Sequence, residues 1–106
     1  VNAERALAAA WVEAQYVLRD ISDYGPELRE RAHVNAAHEA RELADQPSLE
    51  GLADVFICLA GVAAWHGWTL SEVAAAVRAK NRVNAGRSWQ QLPDGTWQHR
   101  IREAAP

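Results

Sequence analysis

The 106-residue chain contains no methionine, one phenylalanine and one cysteine, Cys58. A single cysteine excludes an internal disulfide and leaves no thiolate cluster for zinc. Cys58 falls inside an apolar helical run, where a buried small hydrophobe is the expected role rather than a nucleophile. His33, His38, His66 and His99 stand at no recognised zinc-ligand spacing, and His33 and His38 read as ordinary polar helix positions. No secretory signal and no apolar stretch of membrane-spanning length is visible, so a soluble cytoplasmic protein is expected. Eleven Lys+Arg against fourteen Asp+Glu give 11 − 14 = −3. That balance argues against nucleic-acid binding driven by general phosphate neutralisation.

What is present is alanine, tryptophan and unevenly spread charge. Hydrophobic residues make up 49% of the chain and tryptophans number five, which suits a single domain with one core. Trp11, Trp65, Trp68, Trp89 and Trp97 are expected in that core or at an interface. Residues 1–77 hold twelve acids and five bases, whereas residues 78–102 hold six bases and one acid. An acidic body with a basic C-terminal segment suits a cation site and an anion site.

The periodicity predicts an all-α chain, an antiparallel four-helix bundle-like domain over 1–106 with helices at about 3–21, 26–44, 49–66 and 70–87. Leu7, Trp11, Ala14, Leu18 and Ile21 recur at three- and four-residue spacing in the first. The SDYGP segment reads as a turn, with Pro26 opening the second helix. Ser48 is a fitting N-cap for the third, which is apolar over most of its circumference and therefore expected to be buried centrally. Gly67 ends it, and Thr69 with Glu72 forms a capping box for the fourth. The tail, residues 88–106, reads as two short extended runs around Pro93-Asp94-Gly95, a small hairpin.

The chemistry-bearing residues lie on the second and third helices. Glu39 and Glu42 are three apart, hence neighbours on one face, and repel each other unless a cation intervenes. Asp54 is conspicuous in an apolar run, because an unpaired buried carboxylate is costly. A hard divalent ion with oxygen ligands fits three such acids, Mg2+ first and Mn2+ second. Further along, Lys80, Asn84 and Arg87 are spaced by four and three residues, one helical stripe. Alone, that stripe reads as a basic helix end favoured by the helix dipole.

The carboxylates, the break between them and the downstream basic element together resemble the all-α nucleoside triphosphate pyrophosphohydrolases of the MazG-like superfamily. The look is that of its small dATP/dGTP diphosphohydrolase-like branch. The resemblance spans residues 38–89, with Glu39 and Glu42 matching an E-x-x-E pair and Asp54 the final acid of E-x-x-D. Lys80, Asn84, Arg87 and Trp89 match a K-x-x-x-N-x-x-R-x-W element. One position departs: Gly51 stands where a glutamate is expected, and Glu50 lies one residue earlier.

The resemblance implies cleavage of a nucleoside triphosphate, of (deoxy)purine type, to a monophosphate and pyrophosphate. Metal would be held by Glu39, Glu42 and Asp54, with Glu50 standing in for the missing group. Glu42 or Glu50 would act as general base, and Lys80, Asn84 and Arg87 would bind substrate. A homodimer or homotetramer is expected, because the Ala-rich first helix and the third leave more apolar surface than one small bundle covers. Two other readings compete: a catalytically impaired nucleotide-binding or structural oligomer of the same fold, and a DNA-associated helical module.

Overall fold

A computed structural model describes residues 2–21 and 32–100. The expected SDYGP turn and the start of the second helix at Pro26 lie outside them. The described chain is all-α, four helices followed by a two-stranded hairpin. Its contacts fall into two compact units that divide between Val73 and Ala74.

Helix α1 runs Ala3–Ile21. Asn2 caps it, its Oδ1 accepting from the Glu4 amide at 2.8 Å. Helix α2 runs Ala32–Asp45 and helix α3 Leu49–His66. Between them Pro47 cannot extend a helical hydrogen-bond ladder, and Ser48 restarts it, Oγ accepting from the Gly51 amide at 2.9 Å. Gly67, at φ 72°, closes α3 in the left-handed conformation that glycine adopts at least cost, its amide reaching Ala63 and Ala64 carbonyls. Helix α4 runs Leu70–Ala85. Its capping box forms as expected: Thr69 Oγ1 accepts from the Glu72 amide at 3.1 Å, and Glu72 accepts from the Thr69 amide at 3.2 Å.

The core of the first unit is small and lies where α1 crosses α3. Trp11 and Ala14 of α1 are buried against Ala60 and Ala63 of α3, with Phe56, Leu70 and Val73 packed around them. Trp11 and Phe56 meet edge to face, ring centroids 5.4 Å apart. Small residues on α3 permit the approach. A Cβ on Gly61 would stand 2.9 Å from Leu18 Cδ1, so only glycine fits without displacing that leucine. Gln15 adds a hydrogen bond, Nε2 donating to the Ala60 carbonyl at 3.1 Å.

Three expectations need correction. Helix α3 is not buried all round: α1 and α2 cover part of it, and Leu49, Leu52 and Leu59 remain 84%, 55% and 47% exposed. Of the tryptophans expected in the core or at an interface, Trp11 lies in the core, while Trp65, Trp68, Trp89 and Trp97 are exposed and so are not core residues. Helix α3 is also long and apolar enough, by length and composition, to cross a membrane, with a mean hydropathy of 1.4 over 18 residues. Glu50 and Asp54 break its apolar run into shorter pieces, which hides that average from a reading of uninterrupted stretches.

In the second unit, α4 stops at Ala85, two residues short of the expected Arg87. The amides of Gly86 and Arg87 turn back to the Val83 and Asn84 carbonyls at 3.1 and 3.2 Å. Strands β1 (Trp89–Gln91) and β2 (Trp97–His99) then pair antiparallel, Trp89 opposite His99. The turn is the expected Pro-Asp-Gly: Asp94 Oδ1 accepts from Thr96 N and Oγ1 at 2.9 and 2.6 Å, and Gly95 takes φ 89°. Those hydrogen bonds hold the Asp94 carboxyl below its ordinary pKa.

Candidate functional site

Helix α2 brings His38, Glu39 and Glu42 together because residues three and four apart share a face. His38 Nε2 lies 3.0 Å from Glu42 Oε1. One donor atom from each of His38, Glu39 and Glu42 lies within 4.8 Å of the others, tight enough for one ion to touch all three. Glu39 is half-buried, while His38 and Glu42 are exposed.

The third acid arrives from α3. Desolvation, then the Glu42 carboxylate and its hydrogen bond, then the Asp54 charge, push the Glu39 carboxyl above its ordinary pKa; His38 pulls it the other way. Cys58, four residues after Asp54, feels the same patch: partial burial first, then Glu39 and Asp54, raise its thiol pKa. Glu39, Glu42 and Asp54 are therefore electrostatic neighbours across the α2–α3 contact. Asp54 acts on Glu39 through its charge, but it is not one of the three residues whose donor atoms lie within 4.8 Å of one another. Asp54 itself is exposed rather than buried, and Cys58 is half-buried rather than fully enclosed.

The fourth acid position differs. Glu50 sits exposed in the first turn of α3 and is not among the groups acting on Glu39. Gly51 faces α2: a Cβ there would lie 3.0 Å from Ser48 Oγ and 3.3 Å from Leu43 Cδ1. Leu43 follows Glu42 directly, so position 51 looks toward the helix that carries the acids.

In the second unit, Lys80 is exposed on α4. Asn84 and Arg87 are half-buried and joined, Arg87 Nη1 donating to Asn84 Oδ1 at 3.1 Å. Trp89 Nε1 donates to the Asn84 carbonyl at 3.2 Å. Because the helix ends at Ala85, Arg87 belongs to the turn beyond it, and the Asn84 hydrogen bond is what keeps it beside the expected stripe.

Two features escaped the sequence. His38 joins the carboxylates, and its spacing of four from Glu42 was the available signal. His33 and His66, in contrast, meet across α2 and α3 with Nε2 atoms 3.1 Å apart, a pairing that no linear spacing encodes.

No family model matches the sequence, and no curated protein matches it. Among solved structures the chain is similar to a cyanophage S-2L MazG-like pyrophosphohydrolase bound to dGDP and three catalytic Mn2+ ions per active site. The match covers 92% of this chain and 95% of that one, at 22% identity and a TM-score of 0.68. At that likeness the protein has the MazG-like pyrophosphohydrolase fold.

Proposed function

We propose that this protein is a divalent-metal-dependent nucleoside triphosphate pyrophosphohydrolase, releasing a nucleoside monophosphate and pyrophosphate, with purine deoxynucleotides as preferred substrates. The observation that carries the reading is the cluster of His38, Glu39 and Glu42 donors within 4.8 Å of one another, with the Asp54 charge acting on Glu39 from α3. The Glu39 carboxyl, raised above its ordinary pKa by burial and by neighbouring negative charge, lowers its energy by sharing a cation with those neighbours. The fold likeness to an enzyme described with dGDP and Mn2+ supports the same reading.

The donor set fits Mg2+ or Mn2+: oxygen-rich, anionic and partly exposed, with one imidazole beside it. When bound, such an ion neutralises phosphate charge and acidifies water. Glu39, Glu42 and Asp54 would hold it. Glu42, or Glu50 when Glu42 is engaged, accepts the proton of the attacking water. That water's oxygen forms the new bond to phosphorus as the α–β anhydride bond breaks, and pyrophosphate departs. His38 fixes the Glu42 carboxylate through their 3.0 Å contact. Lys80, Asn84 and Arg87 are assigned to phosphate and sugar.

The exposed Leu7, Leu49, Leu52 and Leu59 support self-association as a homodimer or homotetramer. Sedimentation at micromolar concentration should give twice or four times the monomer mass, and a monomer alone would count against it.

Pyrophosphate release from a panel of ribo- and deoxynucleoside triphosphates, with Mg2+ and with Mn2+, tests the activity. Turnover abolished in Glu42→Gln and Asp54→Asn supports it. Nucleotide binding without turnover under either metal would replace it with the impaired reading, which Gly51 at the fourth acid position favours.

A further inference from the structure

We infer that His33 and His66 form a second metal site, separate from the carboxylates and suited to an imidazole-preferring transition ion such as Cu2+, Ni2+ or Zn2+. The residues lie 33 positions apart in sequence, one in the first turn of α2 and the other in the last turn of α3. Their Nε2 atoms are 3.1 Å apart. An ion bonded to each at about 2.05 Å would see them at an angle of roughly 100°, between octahedral and tetrahedral values. A proton shared between the rings holds the pair in the absence of metal, and a cation takes its place with both lone pairs directed inward.

One ring is held in position beforehand. His66 stacks on Trp68, with centroids 4.3 Å apart and planes 15° from parallel, and it meets His33 edge on at 5.3 Å. Gly67 makes that stack possible, since its left-handed turn folds Trp68 back over the helix end. No third described His, Cys, Asp or Glu joins the pair, so water completes the coordination and the ion remains exchangeable. Ligand chemistry separates the two centres. Imidazole nitrogens favour Cu2+, Ni2+ and Zn2+, whereas the acid cluster favours Mg2+ and Mn2+.

The position gives the site a consequence. A cavity of about 450 Å3 opens between α1, α2 and α3; Ala32 and Asn35, on either side of His33 in sequence, and Ala64 and Trp65, just before His66, are among its lining residues. Metal bridging His33 and His66 ties the α2 and α3 walls of that cavity together.

Untagged, chelator-treated protein titrated with Cu2+ provides the test, read by calorimetry and by nitrogen superhyperfine splitting in the electron paramagnetic resonance spectrum. The expected spectrum shows two equivalent nitrogens. His33→Gln and His66→Gln should each lose that pattern and weaken the binding event that produces it at least tenfold, while His38→Gln keeps the two-nitrogen pattern. Both histidines are exposed, and unchanged circular dichroism confirms that the variants fold. Equal Cu2+ affinity in wild type and both variants, a two-nitrogen signal that depends on His38, or no binding at all would each overturn the assignment.

Discussion

Replacing Gly51 by glutamate puts a carboxylate where the acid cluster lacks one. The backbone allows it: Gly51 is helical, and among the described glycines only Gly67 and Gly95 have positive φ. A Cβ would meet Leu43 Cδ1 at 3.3 Å, which a small rotation relieves, and Ser48 Oγ at 3.0 Å, which its cap bond to the residue-51 amide leaves only a few tenths of an ångström to give. Exchanging a helical glycine for glutamate gains about 0.5–1 kcal/mol of helix propensity, roughly offsetting that adjustment. The new acid would stand three residues before Asp54 on the same helix face. A unit negative charge about 5 Å from a divalent ion contributes roughly 1.7 kcal/mol even at the dielectric constant of water. That is about 15–20-fold in affinity at low salt. Mn2+ titration followed by electron paramagnetic resonance should therefore show Gly51→Glu binding at least tenfold tighter than wild type. Thermal melts should show little change without metal beyond the added carboxylate repulsion, and a clear rise with it. Unchanged or weaker Mn2+ affinity in a folded variant would refute the reasoning that a carboxylate at position 51 reaches the ion.

Because the Glu39 pKa is raised in the folded chain, that residue destabilises the metal-free protein as pH rises from the ordinary carboxylate value through the raised one. Mn2+ affinity should climb over the same interval as the proton stops competing, and Glu39→Gln should flatten both curves in urea melts and titrations. Asp94 has the opposite sign: its lowered pKa contributes stability that is present above the ordinary aspartate value and lost as pH falls through the lowered one. Asp94→Asn should remove that acid dependence from the hairpin amides, as read by hydrogen exchange. Trp11→Ala empties the deepest contact of the first unit, where Trp11 is 7% exposed against Phe56 and Ala60. A loss of about 3–5 kcal/mol is expected from chemical denaturation, and a change below about 1 kcal/mol would place the core elsewhere.

The helices were legible because their ends are written locally. Ser48, Gly67 and the Thr69–Glu72 pair each stop or start a helix through bonds to residues within four positions, and all three form. The Pro93-Asp94-Gly95 turn is local in the same sense. Burial was less legible. An apolar circumference on α3 states that the helix wants cover, not which chain supplies it. Leu49 and Leu59 remain exposed because α1 makes its contact with α3 at Phe56, Ala60 and Ala63.

The site divides along the same line. The Glu39–Glu42 pairing follows from a spacing of three, whereas the Asp54 charge acts on Glu39 only because α2 and α3 pack together. Order and spacing along the whole chain pointed to that third acid. His33 and His66 had no such pattern to reveal them, since a contact across 33 residues depends on where α2 begins and α3 ends. A shift of one residue in either helix boundary would turn one imidazole by about 100° and part the pair. Gly67, which ends α3 and folds Trp68 onto His66, thus also helps to hold the His66 nitrogen within reach of one ion. On that argument Gly67→Ala, which strains the left-handed stop of α3, should weaken Cu2+ binding at the histidines while leaving Mn2+ binding at the carboxylates intact.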